Sequence, residues 1–307
     1  MIAYAVSVAV LVSIFSIAAL GLNLQFGVAR LFNVGCAGFF AVGAYATAII
    51  TGPHWSAGLG GFGLPVPLGL IAATLLAGLL AMLVAVLVLR LGGDYLAIAT
   101  FGLGAVLQIT ATNAGAVTGG PGGLSGIPLP LHERGQLGGE LAWLLVCLTI
   151  ALAAFALLQR LDAAPWGRAL RAVSEDADAA GAVGKNVTSL RLQAFVIGSA
   201  LTGLSGGLYA HNAGFISPHD FLPILTFQLY AMVIVGGGGR YTGTLLGSLV
   251  VWVLWSGSGQ ILARALPPDL QAKAGAIRII VISCTLLVIL LLRPAGLLRE
   301  RVRGAIR

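Results

Sequence analysis

Nine stretches of this chain are almost free of charge and long enough to be helices. They fall at roughly 2–22, 31–50, 66–89, 94–112, 141–158, 190–211, 222–238, 242–256 and 276–292. A helix that crosses a bilayer needs about 20 apolar residues, and lipid offers no partner for an unpaired backbone group. Nine such runs in 307 residues point to an all-α, polytopic transmembrane bundle of about eight to ten helices. Charged residues are 9% of the chain, against about 25% in a soluble domain, too few to clothe a water-facing surface. The 44 glycines fit the same reading, because small residues let membrane helices approach closely. Proline and glycine punctuate the runs at Gly52-Pro53, Pro65, Thr118 to Pro130, Pro218 and Pro267-Pro268. The glycine-rich pieces are candidates for broken or re-entrant segments, which survive at membrane depth only inside protein or beside a cavity. Residues 1–307 read as one transmembrane domain, with a polar loop at 159–189 and a basic tail at 293–307.

The formal charge of +7 follows from topology rather than from nucleic-acid binding, since no basic run is interleaved with aromatics. If loop 159–189 is cytoplasmic, Arg160, Arg168, Arg171, Lys185, Arg191, Arg30, Arg90, Arg240 and the five arginines of the tail share its side. Only Arg134, Arg264, Lys273 and Arg278 fall on the other, a positive-inside asymmetry that puts the N-terminus outside and the C-terminus in the cytoplasm. The first run, Ile2 to Leu22, has neither a basic segment before it nor a small-residue cleavage site, so it reads as a retained helix. Cys36, Cys147 and Cys284 lie in separate apolar runs and read as small buried hydrophobes.

Catalytic signatures are missing. The chain has no G-x-x-x-x-G-K-[ST], no H-E-x-x-H and no G-x-S-x-G, so it offers no nucleotide loop, zinc-protease site or hydrolase elbow. His54, His132, His211 and His219 are not spaced as metal ligands. We therefore expect no catalytic residue, metal or cofactor in this chain. The polar residues inside the runs carry two readings. Asn23, Gln25, Asn33, Gln108, Asn113, Gln193 and Gln228 either pair between helices, at about 1 kcal/mol each, or line a pathway. Asp94, followed by Tyr95, is a carboxylate at a span end. It either caps the next helix as an N-terminal anion or serves the pathway. Thr118, Gly119 and Gly120 open a loop whose turns can present backbone amides to a substrate or partner. Gly236 to Gly239 allow close packing or a helix break.

In the polar loop, Ser174 to Gly184 reads as a short helix. Ser174 is a suitable N-cap, and Glu175, Asp176 and Asp178 complement the helix dipole in the first turn. Ala179 and Ala180 give a smooth body, and Gly184 suits a left-handed stop before Lys185. Two or three turns are unstable alone, so this helix needs tertiary packing or a partner.

That loop, extended through Lys185-Asn186-Val187-Thr188, resembles the ATPase-facing signature of the LivH/LivM-type permeases, the membrane subunits of branched-chain amino acid ABC importers. Other stretches are similar to the same family in order. They are Gly21-Leu22-Asn23-Leu24-Gln25-Phe26-Gly27, Phe39-Phe40-Ala41-Val42-Gly43-Ala44-Tyr45, Gly93-Asp94-Tyr95-Leu96-Ala97-Ile98-Ala99-Thr100 and Thr118-Gly119-Gly120-Pro121-Gly122-Gly123-Leu124. Further on come Gly206-Gly207-Leu208-Tyr209-Ala210-His211, Gly214-Phe215-Ile216-Ser217-Pro218, Val235-Gly236-Gly237-Gly238-Gly239 and Arg293-Pro294-Ala295-Gly296-Leu297-Leu298. The resemblance is closest to LivM-like members. Cys36-Ala37 and Gln108 depart from the pattern, which bears on substrate more than on family. The resemblance implies a multi-pass subunit of a bacterial or archaeal plasma membrane. It also implies a second, similar but non-identical permease, two cytoplasmic ATPases that bind ATP and magnesium, and an extracytoplasmic substrate-binding protein. Residues 174–185 would then be the coupling helix, and the substrate a small amino acid such as leucine, isoleucine or valine. Importers of urea, short amides or aromatic acids are the alternative within the family. An autonomous secondary transporter is the alternative outside it, disfavoured by the lack of ionisable residues near mid-span.

Overall fold

The computed structural model describes residues 2–53, 60–90, 93–130 and 136–265, with positions 277, 280, 283, 284, 287, 291 and 296–298. Most of the ninth apolar run and of the basic tail, His54, His132, Arg134 and Pro267-Pro268 lie outside these residues.

The first eight apolar runs become helices. The first is α1 (Ile2–Leu22), which continues as a π-helical turn over Asn23–Val28. Then come α2 (Cys36–Thr51), α3 (Val66–Val88) and α4 (Asp94–Asn113). A short α5 (Gly115–Thr118) and strand β1 (Leu124–Ser125) precede α6 (Gln136–Ala163). The polar loop holds two helices, α7 (Pro165–Glu175) and α8 (Ala177–Ala182). Helix α9 (Val187–Ala213), strand β2 (Phe215–Ile216), α10 (Pro223–Gly236) and α11 (Tyr241–Ala265) complete the order. Among the described residues, five helical stretches are long and apolar enough to cross a membrane: Ala3–Val28, Val66–Val88, Asp94–Asn113, Gly138–Ala163 and Val187–Ala213. Cys36–Thr51 and Pro223–Gly236 are shorter apolar helices. The fold is a polytopic helical bundle.

Two expected boundaries move for a local reason. The run at 31–50 turns helical only at Cys36, because Arg30 takes a left-handed φ of 53° and the chain is irregular through Gly35. The loop Thr118 to Pro130 is not a broken span. It is a single 3-10 turn over Gly120–Gly122 followed by β1.

Helix α9 is the centre, packed against α1, α2 and α3. Backbones touch there: a Cβ at Gly43 would collide with the Gly203 carbonyl, and one at Gly206 with the Phe40 carbonyl. The outer helices keep apolar faces open, with Leu75, Leu79, Leu83 and Leu87 of α3 exposed. Cys36 and Cys147 are buried as expected, but Cys284 is exposed and does not join a core. Contacts sort the connections into two ends. At one end Arg30 donates to the Ser174 carbonyl, and the Leu297 and Leu298 amides donate to the carbonyls of Val235 (2.8 Å) and Gly236 (3.2 Å). This is the arginine-rich end. At the other, β1 pairs antiparallel with β2 (Leu124 with Ile216, Ser125 with Phe215), and Ile127 N donates to Gly214 O.

Candidate functional site

At the arginine-rich end, α7 begins at Pro165, whose fixed φ suits a first helical position, and turns Leu170 and Val173 into the protein. Leu170 shares a buried cluster with Leu158 of α6, Val28 of the π turn and Tyr241 of α11. Trp166 Nε1 donates to Gln193 Oε1 of α9 at 2.7 Å, and Arg171 pairs with Asp162 of α6. Helix α7 is thus packed against α6, α9 and the π turn.

The single helix expected over Ser174–Gly184 is corrected here to a break followed by α8. Ser174 is not the N-cap. It lies in the last turn of α7, and its hydroxyl donates back to the Arg171 carbonyl. Asp176 adopts extended dihedrals (φ −146°, ψ 105°) and caps α8, Oδ1 accepting from the amides of Asp178 (3.0 Å) and Ala179 (2.9 Å). Glu175 ends α7 rather than opening α8, and only Asp178 lies in the first turn of α8. The stop is as expected: Gly184 has φ 80°, Gly184 N donates to Gly181 O and Lys185 N to Ala180 O, the paired bonds of a Schellman ending. Ala180 is buried, whereas Glu175, Asp176, Asp178, Ala179, Gly184 and Lys185 are exposed and Val183 is 74% exposed. A short, doubly capped helix therefore stands out from the bundle on a well-anchored base.

Behind it lies a buried amide network. Gln25, in the π turn, donates through Nε2 to the Phe195 carbonyl (2.7 Å) and Ser199 Oγ (3.0 Å) of α9. Its Oε1 accepts from Asn33 Nδ2 at 2.9 Å. Asn33 in turn accepts from the Gly35 amide at Oδ1 and from the Tyr230 hydroxyl of α10 at its carbonyl. Thr226 of α10 and Thr100 of α4 accept from the amides of Ala37 and Val34, satisfying the start of α2. Asn23 Oδ1 accepts from Gly239 N, where Gly27 has no room for a Cβ against that same amide. Sequence reasoning named the amides but missed Thr100, Ser199, Thr226 and Tyr230. A hydroxyl inside an apolar run was the only available signal for them.

The other pathway candidates do not join this network. Asp94 and Tyr95 are exposed at the start of α4, with Asp94 in its first turn. Gln108 is half-buried on α4. Gln228 is half-buried on α10, its Nε2 enclosed without a partner among the described residues. At the opposite end Thr118 is buried, its hydroxyl within bonding distance of the Ala111 (2.6 Å) and Ala114 (2.8 Å) carbonyls and accepting from Gly120 N. Gly119 (φ 73°) and Gly120 (φ 60°) make the turn that only glycine adopts without strain. Among the described residues, no three of His, Cys, Asp and Glu are grouped to hold a metal ion.

A bundle of apolar spans carrying one anchored, projecting helix pair is the form of a membrane-embedded transport subunit. The chain belongs to the family described as the permease component of branched-chain amino acid transport systems, which it matches over residues 4–292. It is 31% identical to the high-affinity branched-chain amino acid transport system permease protein LivM of Escherichia coli (strain K12), covering 95% of this chain and 69% of that one. It is 27% identical to the probable branched-chain amino acid transport permease protein LivM of Methanocaldococcus jannaschii, covering 94% and 91%. A partial similarity, 27% over 52% of this chain and 46% of the other, extends to the autoinducer 2 import system permease protein LsrC of Photorhabdus laumondii. No solved structure matches the chain.

Proposed function

We propose that this chain is one of two permease subunits in an ATP-driven importer of small amino acids, with leucine, isoleucine and valine as the substrate class. The observation that carries the reading is the capped α7–α8 pair, exposed at one end of a chain whose similarity to LivM proteins runs nearly its full length. In this reading the arginine-rich end is cytoplasmic, in keeping with the positive-inside asymmetry, and α7–α8 meets a partner ATPase. A substrate-binding protein docks at the strand-bearing end. Transport proceeds by alternating access between this chain and a second, similar permease, and this chain supplies motion rather than bond chemistry. The buried amides tie helices together, and the pathway is a weakly selective conduit that takes its specificity from the binding protein. LsrC supports that last point, since its name assigns a partly similar chain to a chemically different cargo.

The test is co-purification of the chain with the products of neighbouring genes, then uptake by proteoliposomes. ATP-dependent accumulation of labelled leucine, abolished when the ATPase or the binding protein is omitted, is the expected result. Accumulation by the chain alone without ATP would overturn the proposal. Retention of leucine preference with a foreign binding protein would overturn the conduit.

A further inference from the structure

Three aromatic rings meet where the π turn gives way to α2. Phe26 of the π turn, Phe32 of the irregular segment and Tyr230 of α10 have ring centroids 5.6, 5.1 and 5.2 Å apart, each pair tilted or edge-on. Aromatic groups favour this geometry. The Tyr230 ring is held, being 7% exposed with its hydroxyl donating to the Asn33 carbonyl at 2.9 Å. Phe26 is half-buried behind it. Phe32 differs. Leu31 and Asn33 on either side are buried, whereas Phe32 is 41% exposed. One ring therefore projects from a segment whose neighbours are pinned.

The depth of that segment decides what the ring can face. The Val34 amide donates to Thr100 Oγ1, and a Cβ at Gly35 would collide with the Thr100 carbonyl. Thr100 lies about 9 Å along α4 from Asp94, at 1.5 Å per residue. Asn33 donates to Gln25, which in turn bonds the Phe195 carbonyl, about 12 Å along α9 from Val187. Both helices are long and apolar enough to cross a membrane. The irregular backbone is thus level with residues well inside two spans. Among the described residues, neither the amide nor the carbonyl of Phe32 has a hydrogen-bond partner. Lipid cannot satisfy a peptide group, and non-helical backbone at such depth is either enclosed in protein or borders water. The exposure of Phe32 rules out enclosure by this chain, and a dry apolar face of another subunit would leave the same groups unpaired.

We propose that Phe32 borders the translocation pathway and narrows it toward the arginine-rich end, with Phe26 and Tyr230 as the backing of its ring and water of the passage against its backbone. Because Leu31, Asn33 and Tyr230 are held, the ring moves with the bundle rather than on a loop of its own. Approach of the two permeases closes the passage on Phe32, and their separation opens it. The inference rests on the functional reading, in which substrate passes between this chain and a second permease.

The experiment uses the whole transporter in proteoliposomes. Phe32→Cys is made on a Cys284→Ser background, which removes the exposed cysteine and leaves the buried Cys36 and Cys147. A charged, membrane-impermeant methanethiosulfonate reagent, applied during ATP hydrolysis, should modify residue 32 and block uptake of labelled leucine. Absence of modification overturns the proposal, since a ring against lipid or a dry subunit contact is out of the reagent's reach. The second measurement is efflux of preloaded labelled leucine without ATP. In Phe32→Ala it should rise about fivefold to tenfold, the scale of the aromatic contacts that complete the seal. Phe32→Trp should restore a tight vesicle, and Leu83→Ala, on the exposed face of α3, should leak no more than wild type. Efflux at the wild-type rate in Phe32→Ala overturns the seal. If Phe32→Ala does not assemble, the modification of Phe32→Cys decides. Failure of the wild-type complex to accumulate leucine with ATP strikes the functional reading instead.

Discussion

Gln25 shows what a single amide does in an apolar bundle. Its three bonds join the π turn, the irregular segment before α2, and α9, with the side chain fully buried. Gln25→Leu leaves the Asn33 amide and the Ser199 hydroxyl without those partners, a cost of about 2–4 kcal/mol for two buried polar groups. The detergent-purified protein should unfold at a lower temperature, and an unchanged midpoint would show that the network is dispensable. The sequence marks Gln25 and Asn23 as polar residues that need partners. It does not mark the partners, because a helix carbonyl that accepts a second bond and a serine such as Ser199 leave no trace in hydropathy. The same limit explains Asp94. Its place beside Gly93 predicts a helix start, and α4 does start there, but exposure depends on which neighbours arrive. At this scale, residue type announces the need and tertiary packing decides how it is met.

For the α7–α8 pair, the ends of each helix matter more than the body. The left-handed stop at Gly184 was legible, since glycine is the residue that adopts φ 80° cheaply. The break at Asp176 was not. Ser174 and Asp176 are equally good caps two residues apart, and the choice falls to Leu170 and Val173, whose burial fixes α7 through Glu175. Gly184→Val forces a β-branched residue into the left-handed region at about 1–2 kcal/mol. It should therefore unravel the Schellman ending and not the bundle. Glu175→Lys reverses an exposed charge beside α8. Both variants should insert and assemble while uptake per ATP falls severalfold. Normal coupling in both would mean that the pair is only a connector.

Across the whole molecule, close backbone contact holds the centre. Gly43→Val would push α2 off the Gly203 carbonyl of α9, and the displacement has no slack because Gly206 meets the Phe40 carbonyl one turn along. An overpacked site of this kind costs about 1–3 kcal/mol or more. The variant should be recovered in low yield and elute as aggregate in size-exclusion chromatography, whereas Gly102→Val, where a Cβ meets nothing within 4 Å, should behave as wild type. The bundle itself was legible from nine nearly uncharged runs, because lipid leaves a chain few alternatives. The cap formed by β1 and β2 was not, since two-residue strands carry no periodicity and their partners lie far apart in sequence. A similar long-range contact closes α10: the carbonyls of Val235 and Gly236 accept from the amides of Leu297 and Leu298. The whole of α11 is translated between those partners. While the ribosome is still making α11, the exit of α10 stands open beside its glycine elbow, and the nascent chain reaches its finished state only after Leu298 has left the tunnel.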